Sequence, residues 1–286
     1  SSSRSPGAIA VRSVLTIAGS DSSGGAGVQA DIKTIEAHGL FATSAITALT
    51  AQNTLGVSGV VDVDPSFVIA QIDAVFEDIR PDAVKIGMVS SPDIVRAIAE
   101  ALGRHGARHV VVDPVMVATS GSALIADGAV RALVDSLFPL AEVVTPNIPE
   151  AKVLAGAEIT EEADVEPAAR SIARLVSGGQ SPAVLVKGGH GVTAVGSADD
   201  GLLLRDGSFT WLRGDRIETQ NTHGTGCTLS SAIACGLACG LDVRDAVVRA
   251  KAYVRGALER GLDLGRGSGP LDHMWRYSGE RESFRE

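Results

Sequence analysis

Six apolar segments recur along the chain, and each has the length and composition of a buried strand. They cover residues 14–18, 43–51, 83–86, 109–113, 142–145 and 183–187. Helical patterns separate them, as in residues 94–105, where Ser91 can cap the helix, Pro92 suits its first position and Asp93 favours its dipole. This alternation predicts a three-layer α/β/α fold with a mostly parallel central sheet and helices on both faces. In such sheets ligands bind beyond the carboxyl ends of the strands.

The second half of the chain contains a different, β-rich pattern. Residues 192–197, 201–205 and 208–212 are separated by turn residues, which predicts small hairpins at one edge of the sheet. Two helices should follow, one over residues 225–239 and one capped by Asp242 that runs to about residue 260. We expect residues 14–273 to form one domain. Residues 1–13 should be a disordered or artificial N-terminal segment, residues 274–286 a charged tail, and the chain from Gly265 partly loose.

Composition excludes several classes of partner. The 286 residues carry a formal net charge of −9, which repels nucleic acid and anionic membranes, so any phosphate site must be local. No apolar run approaches the roughly 20 residues of a membrane span, and the apolar part of the N-terminal segment is too short for a signal peptide. Three cysteines, an odd number, argue against a disulfide framework and favour the cytoplasm.

The most informative motif is Asn-Thr-His-Gly-Thr-Gly-Cys at residues 221–227. It opens an apolar helix, and its glycines allow the backbone amides of Gly224, Thr225 and Gly226 to approach an anion. Those amides and the helix dipole suit a transferring phosphoryl group. The motif is neither a Walker A loop nor a dinucleotide fingerprint. The alternative is a glycine-rich helix entry that binds no ligand.

A second glycine cluster, residues 19–27, follows the first strand directly. Its spacing does not fit a dehydrogenase, and Val28 and Gln29 stand where a P-loop would have Lys and Ser or Thr. Tight backbone at the end of a strand nevertheless suits a small ligand that lies against the chain. By itself this cluster is weak support for a binding site.

Carboxylates follow two further strands. Prolines in the segment 145–150 fix a turn that directs Asn147 and Glu150 into the expected crevice. Asp113 ends a neighbouring strand, and Mg²⁺ needs few protein ligands because it keeps most of its waters. Glu150 and Asp113 are therefore candidate metal ligands. The alternative for Glu150 is that it only begins a helix.

Lys187 stands at the carboxyl end of an apolar strand and is followed by two glycines. Most lysines are solvated surface residues. A lysine in this position is better placed than most to reach a nucleotide phosphate.

Taken in order, these motifs resemble those of the bacterial hydroxymethylpyrimidine and phosphomethylpyrimidine kinases, which have a ribokinase-like fold. The resemblance covers residues 14–273. It implies ATP- and Mg²⁺-dependent phosphorylation of 4-amino-5-hydroxymethyl-2-methylpyrimidine, first to its phosphate and then to its diphosphate, in thiamine biosynthesis. It also suggests a homodimer. The shared motifs are Ala-Gly-Ser-Asp-x-Ser-Gly-Gly-Ala-Gly-x-Gln-Ala-Asp at 18–31, Gln-Asn-Thr at 52–54, Lys-x-Gly-Met at 85–88, Asp-x-Val-Met at 113–116, Thr-Pro-Asn-x-x-Glu at 145–150, Lys-Gly-Gly-His at 187–190, and the motif at 221–227.

The resemblance also assigns the substrate site. A Gln amide can pair with both a ring nitrogen and an exocyclic amine, and a Met side chain offers a polarizable face to a ring. The alternatives are core packing for Met88 and a charge near a helix start for Asp31. The residues placed in or beside the pyrimidine site are Asp21, Ala26, Asp31, Gln52, Met88 and Val115.

For the nucleotide, the resemblance implies contacts at Asn147, Lys187, Thr222 and His223. It places Cys227 where the wider ribokinase-like group carries an aspartate base. Because a helix N-terminus lowers a thiol pKa, we expect a partly ionised Cys227 to accept the hydroxymethyl proton, or else to act as a positioner.

Two rival functions fit the same fold. A pyridoxal kinase also binds a small planar ring with a hydroxymethyl group, although Gln52 and Met88 favour the pyrimidine. A catalytically silent pyrimidine-binding protein is the second rival. It is disfavoured because Lys187, Glu150 and Asp113 are all present, and a mere binder has no need of them.

Overall fold

A computed structural model describes residues 10–116, 128–177, 179–188, 192–193 and 196–279. Within these residues, nine strands form one sheet in the spatial order β3-β2-β1-β4-β5-β6-β7-β8-β9. The strands are β1 (Ser13–Ser20), β2 (Phe41–Asn53), β3 (Gly56–Asp62), β4 (Ala83–Ile86), β5 (Val110–Val112), β6 (Val143–Val144), β7 (Ala183–Lys187), β8 (Asp200–Leu203) and β9 (Phe209–Leu212).

The six strands from β2 to β7 in this order are parallel, and they correspond to the six apolar segments of the sequence. β1 and β4 to β7 are almost entirely buried, as their near-continuous apolar sequences require. Strand β3 was not predicted. It pairs antiparallel with β2 at the sheet edge, and its mixture of Val, Gly and Ser is mostly exposed, so it lacks the apolar run of an inner strand.

Helices cover both faces of the sheet. Val, Ile and Leu side chains of α2, α3, α5 and α6 pack on one face, and those of α1, α7 and α8 pack on the other. The predicted three-layer α/β/α fold is therefore confirmed. The helices are α1 (Gly27–Ala37), α2 (Pro65–Asp78), α3 (Pro92–His105), α4 (Ala129–Ala132), α5 (Ile148–Ala155), α6 (Val165–Ala173), α7 (Thr225–Ala238) and α8 (Val243–Glu259).

Helix starts follow the expected capping chemistry. The Ser91 hydroxyl accepts a hydrogen bond from the Ile94 amide at 3.3 Å, and the Asp242 carboxylate accepts one from the Asp245 amide at 2.8 Å. A π-helical turn, Leu133–Leu137, continues α4, and short 3₁₀ turns lie at Phe138–Leu140, Glu162–Asp164 and Trp275–Tyr277.

The hairpin edge is confirmed for residues 201–205 and 208–212, which contribute to β8 and β9. The stretch 192–197 lies partly outside the described residues. The expectation of a loose chain from Gly265 is wrong for residues 265–279. The Ser268 amide donates to the Thr54 carbonyl at 3.1 Å, and the Tyr253 hydroxyl donates to the His273 carbonyl at 2.5 Å. None of the helices described is long and apolar enough to cross a membrane.

Candidate active site

The motif residues converge because parallel strands present their carboxyl ends at one edge. The loop after β1, Asp113 after β5, the 145–150 turn after β6 and Lys187 at the end of β7 all lie at this edge. Helix α7 begins against the same edge. The fold thus brings together motifs that are up to about 200 positions apart in the chain.

A buried ion pair lies on the β5–β7 side. The Lys187 ammonium Nζ is 3.0 Å from Oδ1 of Asp113, and the Thr145 hydroxyl donates to the same oxygen at 3.1 Å. A Cβ atom placed on Gly226 would lie 3.3 Å from Lys187 Nζ and 3.4 Å from Asp113 Oδ2. Glycine at this position therefore leaves the helix backbone open to the ion pair.

Glu150 lies beside that pair and also caps α5. Its carboxylate accepts a hydrogen bond from the Asn147 amide, while the Asn147 side chain accepts one from the Glu150 amide, each at 2.9 Å. Burial raises the pKa of the Glu150 carboxyl to about 7, with Lys187 opposing the rise and Asp113 adding to it. Sequence reasoning left helix capping and metal binding as alternatives, and the structure shows the capping.

Two buried carboxylates, Asp113 and Glu150, form a donor set of hard oxygens. Their mutual repulsion is relieved by a cation, and Mg²⁺ accepts one or two carboxylates together with waters and phosphate oxygens. Within the described ranges no group of three or more His, Cys, Asp or Glu side chains could hold a metal. The residues present therefore fit Mg²⁺ shared with a nucleotide better than a metal held by the protein alone.

The two glycine-rich segments lie back to back. Gly224 has a φ of +86°, and a Cβ on it would lie 1.9 Å from the carbonyl oxygen of Gly25. Only glycine permits this backbone contact. The first amides of α7 have no acceptor within the helix, and among them the Thr225 amide donates to the Thr222 carbonyl at 3.3 Å. The remaining amides and the helix dipole can therefore receive an anion at the cleft.

Cys227 is partly exposed in the first turn of α7, but its electrostatics differ from the expectation. Burial raises the pKa of its thiol, and Lys85 opposes this rise only in part. The expectation of a thiol pKa lowered by the helix N-terminus is wrong, because desolvation of the thiolate outweighs the opposing Lys85 charge and the hydrogen bond from the Gly27 backbone.

Asp21 organises the loop after β1. Its Oδ1 accepts hydrogen bonds from the Ser23 amide and hydroxyl at 2.8 and 2.7 Å, and its Oδ2 accepts one from the Ala26 amide at 2.8 Å. His223 Nε2 lies 2.8 Å from the same Oδ2. Burial acts to raise the pKa of Asp21, but the hydrogen bonds from His223 and Ser23 hold it well below its usual range.

His223, which was expected at the nucleotide, contacts two residues that were expected at the pyrimidine. Its ring lies 3.5 Å from the Gln52 amide nitrogen and 2.8 Å from Asp21 Oδ2. Thr222, also expected at the nucleotide, is exposed on the rim, and its hydroxyl pairs with that of Ser268 at 3.2 Å.

A cavity of about 290 Å³ opens beside His223. One wall is the tip of the β2–β3 hairpin, and another is the C-terminal segment, which sequence reasoning did not include. The spacing Gly265-x-Gly267-x-Gly269 was the available signal, since a Cβ on Gly267 would lie 2.0 Å from the Thr54 carbonyl oxygen. The lining residues are Gln52, Asn53, Thr54, Leu55, Gly56, His223, Gly267 and Ser268.

Other predicted substrate residues lie at the same edge. A Cβ on Gly19 would lie 2.5 Å from the methyl carbon of Met88, so the Met88 side chain covers the end of β1. Val115 is half-buried just after Asp113, and Ala26 is half-buried beside Gly224.

Asp31 is the exception, because its side chain does not face the cleft. It is fully buried, and both of its oxygens accept hydrogen bonds from the Lys85 ammonium at 2.8 Å. The predicted contact with substrate is therefore corrected to an internal ion pair. Lys85 was missed, although a lysine inside the apolar segment 83–86 was a visible anomaly.

This combination of a ribokinase-like sheet, an anion site at a glycine-rich helix start and a lysine beside two carboxylates defines a small-molecule kinase. Comparison with known proteins agrees. The family model for phosphomethylpyrimidine kinase matches residues 21–272, and the chain belongs to that family.

Curated relatives support the assignment. The hydroxymethylpyrimidine/phosphomethylpyrimidine kinase of Rhizobium meliloti is 51% identical, with 92% of this chain and 97% of that protein covered. The thiamine biosynthesis bifunctional protein ThiED of Geobacter sulfurreducens is 52% identical over 92% of this chain, which spans 52% of that protein. Among solved structures, an ADP complex of Bacillus subtilis pyridoxal kinase aligns with a TM-score of 0.84 and 34% identity, covering 94% of this chain and 99% of that one.

Proposed function

We propose that this chain transfers a phosphoryl group from ATP to 4-amino-5-hydroxymethyl-2-methylpyrimidine, and then a second one to the resulting monophosphate, as a step of thiamine synthesis. The observation that carries the proposal is the meeting of Lys187, Asp113 and Glu150 with the start of α7 at one sheet edge. A solved relative that holds ADP supports ATP as the donor.

The roles follow from charge and position. The first amides of α7 and the Lys187 ammonium would stabilise the negative oxygens of the phosphoryl group in transit. Asp113 holds Lys187 in place, because the two groups are already paired at 3.0 Å.

Asp113 and Glu150 would hold Mg²⁺, which neutralises phosphate charge when bound. A bound cation favours the charged form of Glu150, which burial alone disfavours. Asn147 fixes the Glu150 carboxylate from the other side through the capping box.

Cys227 would accept the proton of the hydroxymethyl group. Because its thiol pKa is raised, only a small fraction is ionised near neutral pH. Turnover should therefore increase with pH up to the thiol pKa, and this increase should disappear in Cys227→Ala if the thiolate is the base.

The pyrimidine would occupy the space between Gln52, His223 and Met88. The Gln52 amide can donate to a ring nitrogen and accept from the exocyclic amine, which matches an aminopyrimidine edge. The Asp21–His223 contact would hold the loop and the α7 start at a fixed separation around the ring.

A homodimer is also part of this proposal. Apolar side chains are exposed on the edge strand β3 and beside it, including Val60, Val61 (66% exposed) and Phe67. Exposed apolar edge strands commonly pair or are covered by a partner. Sedimentation should give the mass of two chains. The three free cysteines support a reducing compartment such as the cytoplasm.

The test is ADP release with the hydroxymethylpyrimidine, its monophosphate and pyridoxal, each measured with Mg²⁺ and with excess chelator. We expect Mg²⁺-dependent release with both pyrimidines at kcat/KM values well above that for pyridoxal. Release with pyridoxal alone would assign the chain to the pyridoxal kinases, whose fold it shares. Background release with all three would contradict the kinase proposal.

A further inference from the structure

Lys85 is an unusual residue because its side chain has no exposed surface, yet it carries a charge. It lies in β4, and its ammonium donates to both oxygens of Asp31 in α1 at 2.8 Å. Two hydroxyl groups also donate hydrogen bonds to the Asp31 carboxylate. Thr16 of β1 donates at 2.5 Å and Ser231 of α7 donates at 2.7 Å. The cluster thus connects two strands and two helices below the cleft.

Stability alone gives little reason for such a cluster. Burying two charges is costly, and well-packed neutral or apolar replacements of a buried pair are often as stable. Removing only one partner is strongly destabilising, because it leaves an unpaired buried charge. A fully buried pair next to a catalytic cleft therefore calls for a role beyond folding.

The position of the cluster indicates that role. A Cβ on Gly87 would lie 2.6 Å from Lys85 Nζ, so the ammonium lies directly beneath the Gly87–Met88 floor of the cleft. Ser231 is one helical turn after Cys227 on α7. The pair is therefore fixed to α7 one turn beyond the thiol, on the same face of the helix.

The charges around the Cys227 sulfur come from four elements of the fold. Burial raises its pKa, and the Lys85 charge opposes this, while the Asp31 and Asp113 carboxylates add to the rise. The thiolate in turn favours the charged form of Lys187. Of these groups, Lys85 is the cation that acts most strongly to stabilise the thiolate.

We propose that the Lys85–Asp31 pair is a positioning element of the active site: through Ser231 it anchors α7 one turn beyond Cys227, and it holds the Lys85 ammonium beneath the Gly87–Met88 floor of the cleft, where a cation favours an ionised Cys227 sulfur. Its catalytic consequence rests on the proposed role of Cys227. Its effect on the sulfur is a property of the folded chain and can be measured without substrate.

The test is the double variant Lys85→Gln with Asp31→Asn, which removes both charges and keeps amides able to bond with each other and with the two hydroxyls. All proteins carry Cys239→Ser, because that exposed thiol would otherwise react, whereas Cys235 is buried. Alkylation of Cys227 by iodoacetamide is followed by mass spectrometry from pH 6 to 10, and folding by circular dichroism. The matched control is Arg104→Gln with Asp73→Asn, an ion pair between α2 and α3 on the sheet face opposite α7.

We expect the alkylation profile of the double variant to move up by about one pH unit, which is roughly a tenfold slower reaction at pH 8. Single-turnover phosphoryl transfer should fall about tenfold or more, with KM for ATP within about twofold of the parent. The control should leave both measurements unchanged. If the double variant folds and keeps the parent's alkylation profile, the proposal is wrong, whatever happens to turnover.

A second variant covers the case in which the double variant does not fold. Ser231→Ala keeps both charges and removes one donor to Asp31, so the carboxylate's negative field at the sulfur increases. Alkylation at pH 8 should slow about twofold. An unchanged rate would overturn the proposal. The two proposals fail separately. An unchanged alkylation rate in these variants would contradict the positioning role, whereas the absence of kinase activity in the parent protein would contradict the proposed function.

Discussion

The two sides of the proposed active site, called here the phosphoryl side and the acceptor side, are built differently. On the phosphoryl side, Asp113 and Lys187 stand at the ends of β5 and β7 and are 74 positions apart. On the acceptor side, Asp21, Gln52 and His223 lie in loops and a hairpin, and their contacts connect residues 171 and 202 positions apart. The first side has its geometry fixed by the sheet. The second depends on loops that can change without changing the fold.

This difference explains how one fold serves related substrates. The chain shares its architecture with a pyridoxal kinase at 34% identity, and both classes of reaction transfer a phosphoryl group to a small ring compound. We infer that the strand-end side carries the common chemistry and that the loop side selects the ring. Substitutions on the two sides should therefore affect different kinetic parameters.

The largest effect is expected for Lys187→Met on the phosphoryl side. It removes the cation that faces the α7 amides and leaves Asp113 without its charged partner, with the Thr145 hydroxyl still bonded to it. Turnover should fall about 10²- to 10³-fold, the usual cost of losing one group that stabilises transition-state charge. KM for the pyrimidine should change little. Lys152→Met on α5, whose ammonium pairs with exposed Glu158, is the control and should keep parental turnover. If Lys187→Met also raises KM for the pyrimidine, the two sides do not act independently.

A second prediction concerns Asp21 and the stability of the acceptor side. Asp21→Asn removes an acceptor that serves the Ala26 amide and His223, so the free energy of unfolding should fall by about 1.5–3 kcal/mol. The folded-state pKa of Asp21 is lowered, so its stabilisation is complete above the ordinary value of 3.8 and is lost as pH falls further. The difference from the parent should be constant from pH 7 to about pH 5 and should shrink below pH 4.

The chain supplies a matched control for Asp21. Asp206 makes the same local turn, with its Oδ1 accepting from the Ser208 amide and hydroxyl, but it is exposed and has no long-range partner among the residues that the structure describes. In urea unfolding, Asp206→Asn should lower the free energy of unfolding much less than Asp21→Asn does. Equal costs would mean that the local turn, and not the contact with His223, stabilises the loop.

Much of the fold could be predicted from local pattern. The inner strands are near-continuous apolar runs, and the starts of α3 and α8 carry capping residues that do not depend on the rest of the chain. Strand β3 was not predicted because an exposed edge strand needs no apolar pattern. The order of the C-terminal segment was not predicted, because Gly265 and Gly267 suggest a flexible chain but are required for its close contact with Thr54.

The convergence of candidate residues could be predicted only where they follow strands. Asp113, Glu150 and Lys187 were expected to lie together because strand ends converge by topology, and in the structure they do. Burial is not visible in a motif, and this is why Asp31 was assigned to the substrate and why the pKa of Cys227 was expected to be lowered. For Asp31 the buried Lys85 partner decided the outcome, and for Cys227 the desolvation of the thiolate did.

A third prediction tests ring selection on the acceptor side. Gln52→Leu keeps a similar shape but leaves the polar edge of the ring unpaired, at a cost of about 1–3 kcal/mol, or roughly 5- to 150-fold in KM for the pyrimidine. KM for ATP and turnover at saturation should stay near parental values. Gln180→Leu, an exposed substitution of the same type, is the control. If Gln52→Leu raises KM for ATP as much as KM for the pyrimidine, the two sides do not act independently.

The smallest effect is expected for Ser22→Ala, which tests how the loop after β1 is joined to the hairpin. The Ser22 hydroxyl donates to the Gln52 carbonyl at 2.6 Å and accepts from the Gln52 amide at 2.8 Å, so it fixes the backbone that carries the ring-selecting side chain. Because this contact is exposed, its loss should cost only about 0.5–1.5 kcal/mol, seen mainly as a KM for the pyrimidine raised by about two- to tenfold. Ser58→Ala removes a hydroxyl on the same hairpin whose one hydrogen bond within the described part of the chain is to the Ala51 carbonyl, and it should leave KM unchanged. If both alanine variants raise KM equally, general loosening of the hairpin, and not placement of Gln52, controls ring binding.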